Sequence, residues 1–207
     1  MSLRLDHLAV AASSLREGTE YVRDCLGIDM PFGGEHTHMG THNCLVKLGS
    51  DEFLEVIAIN PDAPNPPRPR WFNLDHHGNR SPYLAHWIAR TDDMSSTLPN
   101  ITAPVGEPIL SKRGNLSWHL TIPSDGSLAF DGAFPSIIEW PMRPFPGASM
   151  HDVGCRVLSL ELGHPEAVQL ENALQPHLSD ERIQITQADT LTIKASISTP
   201  TGVRYLE

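Results

Sequence analysis

The 207-residue chain lacks several features that would place it in a specialised class. No uninterrupted apolar run approaches the ~20 residues that a membrane-spanning helix needs, and the first residues contain no apolar segment suited to a signal peptide. The basic residues are scattered and the net charge is −10, which disfavours binding to nucleic acid or to an anionic membrane. We therefore expect a cytoplasmic protein without nucleic-acid or membrane partners.

Cysteine is also scarce. The three cysteines, Cys25, Cys44 and Cys155, are odd in number and far apart, which is typical of reduced thiols and disfavours a disulfide framework or a thiolate metal site. Gly33 and Gly34 form an isolated glycine pair, which indicates a turn rather than a phosphate-binding loop, and no P-loop is present. The sequence therefore carries no signal for a nucleotide cofactor.

The composition is that of an ordinary globular protein, with 40% apolar and 19% charged residues. In the first half, Ser14 lies three residues before Glu17, a capping-box spacing that predicts a helix start, and Gly27 is placed to end that helix. Apolar runs predict strands at residues 3–11, 43–48 and 53–59, a possible further strand at 29–32, and a loop at 31–41. The predicted order is β-α-β-β-β.

The same order restarts after a proline-rich linker. Five prolines between residues 60 and 82 disfavour regular structure there. The second half then predicts a strand at 84–90, a short helical turn at 93–98, and strands at 108–110, 117–122 and 136–140. A third stretch predicts strands at 157–162, 182–186, 191–198 and 203–206, with a helix at 165–178. We therefore expect units at 1–60, 83–145 and 150–207, the last an incomplete third unit, packed as one globule.

Two segments of the chain read as copies of each other. His7 and His86 occupy matching positions in similar apolar strands, 79 residues apart, and Glu55 and Glu139 occupy matching positions 84 residues apart. Burying an ionised carboxylate without a partner costs several kcal/mol or more, and a metal cation is one of the few groups able to compensate. Two histidines and two carboxylates on repeated strands therefore indicate a divalent metal site.

Around these residues the chain resembles the glyoxalase-like domain family of the vicinal oxygen chelate superfamily. The resemblance spans about residues 3–145, and more loosely the tail. It is carried by six segments: 5–10, 33–36, 40–45, 53–58, 87–93 and 138–141. It implies an α+β fold of paired βαβββ modules forming a cupped mixed sheet, with metal ligands on the first and last strand of each module. These ligands map onto His7, Glu55, His86 and Glu139.

The implied chemistry is that of a metal-dependent isomerase or lyase acting on a small molecule with adjacent oxygens. The cation, which could be Zn, Ni, Co, Mn or Fe, would polarise a substrate oxygen as a Lewis acid. A carboxylate beside metal and substrate could move a proton, with Glu139 the preferred catalytic base and Glu55 the other candidate. In the surrounding strands and loops, His36, His42, Asn43, Arg113 and Trp118 are candidates to line the substrate pocket.

Other readings stay open at this point. A non-haem iron dioxygenase needs two histidines and only one carboxylate, so four protein ligands disfavour it. A binding protein that sequesters a small molecule could use the same cup without catalysis. We favour closure of the cup within one chain, since both modules are present, although a homodimer is also possible.

Overall fold

The first module of the fold supplies half of a large sheet. The computed structural model describes residues 2–207. The module consists of strand β1 (Arg4–Ala11), helix α1 (Leu15–Leu26) and strands β2 (Phe32–His36), β3 (Thr41–Lys47) and β4 (Phe53–Ile59). Strand β1 pairs in parallel with β4, and β3 joins β4 to β2 through antiparallel pairs.

The ends of helix α1 form as predicted. The Ser14 side chain accepts a hydrogen bond from the backbone N–H of Glu17 at 3.2 Å, and Gly27 ends the helix at φ 72°. Such a left-handed backbone favours glycine because it has no Cβ atom. The predicted helix start at Ser14 and the helix end at Gly27 are therefore confirmed.

The second module repeats the element order with a much shorter helix. It consists of β5 (Tyr83–Arg90), α2 (Met94–Thr97), β6 (Glu107–Arg113), β7 (Leu116–Ile122) and β8 (Ser136–Glu139). Strands β1 and β5 pair antiparallel and join the two modules into one eight-stranded sheet of order β2-β3-β4-β1-β5-β8-β7-β6. Its two edges approach each other, since the Arg113 side chain on β6 reaches Asn43 on β3. The sheet is therefore cupped, and the predicted α+β fold is confirmed.

The third unit forms a separate four-stranded sheet. After the short helix α3 (Pro146–Ser149), it contains β9 (Arg156–His164), α4 (Ala167–Leu174), β10 (Ile183–Gln187), β11 (Thr192–Thr199) and β12 (Gly202–Leu206). The element order is again β-α-β-β-β, but the strand order is β10-β9-β11-β12. Its first strand pairs with the two strands that follow the helix, whereas β1 pairs with the last strand of its module. The third unit therefore repeats the order along the chain without repeating the pairing.

Two local predictions were wrong. The strand predicted at 29–32 lies instead at Phe32–His36, within the predicted loop. A Cβ atom on Gly33 would lie only 2.5 Å from the Asn43 side chain and 2.7 Å from that of Leu45, so the glycines permit a close approach of β3 rather than a turn. The linker also contains a 3₁₀ helix, Trp71–His76, which begins two residues after Pro69.

The two faces of the large sheet have different partners. Leu8 and Val10 pack in a core with Val22 and Leu26 of α1, while alternate residues, beginning with His7, face the concave side. Across the described residues, no helix is long and apolar enough to span a bilayer. The concave face is therefore the place where polar side chains of the sheet meet.

The Ser14 cap gives a first testable consequence. Replacing Ser14 by alanine removes the acceptor for the Glu17 N–H and should lower the free energy of unfolding by about 1 kcal/mol. Urea denaturation measures this loss. Ser2→Ala, at an exposed position before β1, is the control and should leave the midpoint unchanged; equal midpoints for both variants would contradict the capping role.

Candidate functional site

The concave face of the sheet encloses a polar-floored pocket with aromatic and apolar walls. The floor is formed by His7 on β1, Glu55 on β4, His36 and Asn43 on β2 and β3, and Arg113 on β6. The walls are formed by ten further residues: Leu45, Phe53, Trp71, Phe72, Trp118, Leu120, Ile138, Trp140, Pro146 and Met150. Polar groups from both modules therefore converge in an apolar enclosure, as in many small-molecule sites.

A buried histidine–glutamate pair lies at the centre of this floor. The His7 Nε2 atom lies 3.6 Å from Glu55 Oε2, and each residue is 5% exposed. The Phe53 ring stacks on the imidazole of His7 with ring centres 4.3 Å apart. The two groups are close enough to interact as charges, yet both face a space that a substrate atom could enter.

The charged forms of His7 and Glu55 stabilise each other. Burial is the largest single effect on His7 and lowers its pKa, but the hydrogen bonds and charges of Asp6 and Glu55 more than offset it and raise the pKa to about 9. Burial opposes ionisation of Glu55, yet His7, with help from His36 and Asn43, holds the Glu55 pKa below its ordinary value. At neutral pH the pair is therefore an imidazolium beside a carboxylate.

Asp6 lies behind His7 and was not predicted as a site residue. Its Oδ1 accepts a hydrogen bond from His7 Nδ1 at 2.7 Å, and its Oδ2 accepts one from Trp140 Nε1 at 3.1 Å. The Arg90 guanidinium lies 3.8 Å from the same Oδ2. Asp6 thereby fixes the orientation of His7 with Nε2 toward the pocket. Its position directly before the histidine was the signal that could have revealed this role.

A chain of polar groups leads from Glu55 to the rim of the pocket. Asn43 Nδ2 donates a hydrogen bond to Glu55 Oε1 at 2.6 Å, and Arg113 donates one to Asn43 Oδ1 at 3.0 Å. His36 lies beside this chain, with Nδ1 near Thr41 Oγ1 at 3.1 Å and Nε2 3.5 Å from Asn43 Nδ2. Burial lowers the His36 pKa to about 4, so this second histidine is neutral.

The structure brings together most of the residues predicted to line the pocket. His36, Asn43, Arg113 and Trp118 all contribute to its lining. His42 does not: strand β3 alternates its side chains between the faces of the sheet, so Asn43 takes the concave face and His42 the other. Trp71 and Phe72 were not predicted to line the pocket. They lie in the linker, whose prolines led us to expect no regular structure there.

His86, a predicted metal ligand, is hydrogen-bonded through both ring nitrogens in the core of the protein. Its Nδ1 donates to the Gly132 carbonyl at 3.0 Å, and its Nε2 accepts from the backbone N–H of Ser136 at 3.0 Å, with the Ser136 hydroxyl at the same distance. Burial lowers its pKa to about 4, the Gly132 carbonyl opposes this, and the charge of His7 lowers it further. Both ring nitrogens are therefore already engaged, and His86 does not line the pocket that contains His7 and Glu55.

Glu139 is also directed away from the pocket. Its Oε2 accepts a hydrogen bond from the Met94 backbone N–H at 2.5 Å, at the start of α2. On β8, Ile138 lines the pocket and Ile137 packs in the core on the helix side, so alternation places Glu139 with Ile137. Glu139, predicted as a metal ligand and as the preferred base, therefore lies at the start of α2 and not with His7 and Glu55 in the pocket.

The strand pairing explains why Glu139 does not face the pocket, although its place in the sequence repeats that of Glu55. Ala9 pairs with Glu55 across β1 and β4, and Ile88, which lies 79 residues after Ala9, pairs with Ser136 across β5 and β8. The structural counterpart of Glu55 is therefore Ser136, and Glu139 lies three residues beyond it. A shift by an odd number of residues places a side chain on the opposite face of a strand.

The comparisons with known proteins agree with this architecture. The model of the family described as "Glyoxalase-like domain" matches residues 5–178. The chain belongs to the glyoxalase-like domain family. The resemblance to the glyoxalase-like domain family seen in the sequence is confirmed. No curated protein matches the sequence.

Several solved structures are similar to this glyoxalase-like protein at low sequence identity, and the first of them, with a TM-score above 0.5, shares its fold. A hypothetical protein from Staphylococcus aureus is 13% identical with a TM-score of 0.62, covering 93% of this chain and 88% of that chain. A methylmalonyl-CoA epimerase from Streptomyces coelicolor is 14% identical with a TM-score of 0.44, covering 69% of this chain and all of that chain. The same enzyme from Mycobacterium tuberculosis is 17% identical with a TM-score of 0.43, covering 66% and 85%.

The residues of this glyoxalase-like pocket do not fit the four-ligand divalent cation that the sequence predicted. Catalytic zinc sites use three protein ligands and an open position, whereas only His7 and Glu55 of the predicted four meet here. Within residues 2–207, no three histidine, cysteine or acidic side chains are gathered in the way a metal ion requires. The buried charge of Glu55 is balanced by the His7 imidazolium and the Asn43 amide instead.

The neutral state of His86 has a measurable effect on stability. An unfolded histidine takes up a proton near its ordinary pKa of 6.5, whereas folded His86 does so near 4. As pH falls from 6.5 to 4 the unfolded state therefore binds more protons, and this residue removes up to about 3 kcal/mol of stability. Above pH 6.5 its contribution is constant.

His86→Gln should abolish this part of the pH dependence, since an amide can still donate to Gly132 and accept from Ser136 without titrating. Urea denaturation of both proteins between pH 4.5 and 8 is the measurement. We expect the wild type to lose more stability than the variant on acidification. A constant difference between the two proteins over that range would refute a buried, neutral His86.

Proposed function

We propose that this glyoxalase-like protein is an isomerase or lyase that moves protons on a small molecule with adjacent oxygens. The observation that carries the proposal is the buried His7–Glu55 pair, which places an imidazolium and a carboxylate 3.6 Å apart inside an apolar pocket. An acid and a base held together in this way are the elements of general acid–base catalysis.

In the proposed reaction the two groups divide the proton transfer. The Glu55 carboxylate takes a proton from the substrate carbon next to a carbonyl, and the C–H electron pair moves to form an enolate. The Nε2–H of His7 hydrogen-bonds to the developing oxygen charge, which is worth more in a water-poor pocket than in bulk water. Glu55 then returns its proton to carbon, or a leaving group departs from the enolate.

Arg113 and Asn43 would bind the substrate rather than react with it. The Arg113 guanidinium is held by Asn43 and lines the same pocket, which suits it to a carboxylate or another anionic oxygen of the substrate. The surrounding Trp71, Phe72 and Trp118 rings exclude water and strengthen these polar contacts. A small acid with a neighbouring oxygen therefore matches the chemistry of the floor.

Asp6 would act as a positioning residue for His7. Its carboxylate accepts the Nδ1–H bond, so the other ring nitrogen presents its proton to the substrate. One chain supplies the pocket residues from β1 through α3, so the proposed chemistry requires no second copy. The proposed base is Glu55 alone, since Glu139 caps α2.

Glu55→Gln tests the proposal with Glu139→Gln as a matched control. The panel consists of small 2-oxo and 2-hydroxy acids in deuterated buffer. NMR follows exchange of the C3 protons of the 2-oxo acids and of the C2 proton of the 2-hydroxy acids, since these are the protons next to a carbonyl group. We expect exchange or turnover of at least one panel member by the wild type and a loss of 10²-fold or more in Glu55→Gln.

The control variant should keep its activity, because Glu139 accepts the Met94 N–H at the start of α2 and does not line the pocket. Equal activity of wild type and Glu55→Gln would refute the role of the base. Stoichiometric binding of a panel member without exchange or conversion would instead favour a sequestering protein, and iron-dependent oxygen uptake would favour a dioxygenase.

A further inference from the structure

Two glycines lie where the edges of the large sheet approach each other. Strands β2 and β6 are the two ends of its strand order, and among the described residues no backbone pairing joins them. Gly33 and Gly34 lie on β2, where the pairing with β3 shifts its register between Phe32 and Gly34. A shift of this kind re-aims the neighbouring side chains. The proposed function assigns no role to the glycine pair.

The Arg113 side chain passes directly over Gly34. A Cβ atom on Gly34 would lie 2.7 Å from Arg113 Cδ, 3.3 Å from its Nε and 3.4 Å from its Nη1. A contact of 2.7 Å is too short for a Cβ atom, so any larger residue at position 34 must displace the arginine. The backbone of Gly34 has φ 155°, which also favours glycine. The missing side chain at position 34 therefore lets Arg113 cross from β6 to β2.

Gly33 leaves space for the hydrogen-bond partner of Arg113. A Cβ atom on Gly33 would lie 2.5 Å from Asn43 Oδ1, and this oxygen accepts the hydrogen bond from Arg113 Nη1 at 3.0 Å. Asn43 in turn donates to Glu55 Oε1. The two glycines therefore make room for both members of the Arg113–Asn43 hydrogen bond, which holds the guanidinium in the lining of the pocket.

Arg113 keeps two donors for a ligand. Nη1 bonds to Asn43, but within residues 2–207 no hydrogen bond engages Nε or Nη2, and neither atom is enclosed by protein. Nε and Nη2 form one edge of the guanidinium, and such an edge can donate two parallel hydrogen bonds to a carboxylate. Among the described residues, Arg113 is also the only lysine or arginine that lines the pocket.

We infer that Gly34 determines the substrate specificity of the site, because its missing side chain holds the Arg113 guanidinium in the pocket, where it selects substrates with a carboxylate. This inference rests on the proposed function for the reacting part of the substrate. It adds that the site requires the negative charge of the acid as well as its adjacent oxygens. Gly34 acts through Arg113 and does not touch the substrate.

Two probes that differ in charge but little in shape test the inference. These are 2-oxobutanoate, an anion at neutral pH, and its neutral amide, 2-oxobutanamide. Binding is followed by the fluorescence of the tryptophans that line the pocket, Trp71, Trp118 and Trp140. Because a hydrogen bond between two charged groups is stronger than one to a neutral amide, we expect the wild type to bind the anion at least tenfold more tightly.

Gly34→Ala should weaken binding of the anion at least tenfold and change binding of the amide by less than threefold, because the added methyl group displaces Arg113. Gly202→Ala is the matched control. Gly202 also has a positive φ, 114°, but no atom lies within 4 Å of the position of its Cβ. The control therefore adds a methyl group to a strained backbone without displacing an arginine, and it should keep the tenfold preference.

Arg113→Gln separates this role from a merely structural one. It removes the guanidinium and should lose the same preference for the anion. In the double variant Gly34→Ala/Arg113→Gln, the affinity for the anion should equal that of Arg113→Gln alone, since the two residues act as one unit. If Gly34→Ala alone does not fold, recovery of folding in the double variant supports the clash with Arg113, and failure of both to fold overturns it.

Equal affinity of the wild type for the two probes, a preference that survives Gly34→Ala or Arg113→Gln, or additive effects in the double variant would overturn the inference and leave the proposed proton transfer intact. Absence of binding by both probes would overturn the inference together with the proposed substrate class. Absence of proton exchange by the wild type, with the charge preference retained, would support the inference and overturn only the proposed catalysis.

Discussion

The ion pair of His7 and Glu55 is the interaction on which the site depends. A carboxylate at this depth would protonate or destabilise the fold if it were unpaired, and the imidazolium beside it removes that penalty. Asp6 accepts a hydrogen bond from His7 Nδ1, and Asn43 donates one to Glu55 Oε1. A buried pair held this way contributes little net stability, and it places an imidazolium and a carboxylate side by side in an apolar space.

The two modules are related by a pseudo-twofold axis between β1 and β5, yet only one carries charged chemistry. In the first module the histidine faces a carboxylate, and in the second His86 faces the hydroxyl and backbone of Ser136. Burial keeps His86 neutral, because no acidic side chain raises its pKa as Asp6 and Glu55 raise that of His7. The duplicated scaffold therefore supports an asymmetric site, in which Arg113 and Trp118 of the second module serve the pair in the first.

Much of the fold could be predicted because its signals are local. The Ser14 cap, the terminal Gly27 and strand β4 followed from spacing and apolar pattern, and the element order of both modules followed from their repetition. Strand β2 and the 3₁₀ helix at Trp71–His76 could not be found in this way. The first depends on how closely β3 approaches two glycines, and the second on contacts made after a proline-rich segment.

The sequence by itself determined that His7 and Glu55 are buried in strands and must be compensated, and it placed the chain in its family. The tertiary structure decided what compensates them, because strand register sets which side chains share a face. Glu139 lies three residues after Ser136 and therefore on the opposite face of β8. There it accepts a hydrogen bond at the start of α2 instead of facing the pocket. Linear spacing cannot reveal such a shift, since it depends on how β5 and β8 pair across the 45 intervening residues of loop, helix and strand, residues 91–135.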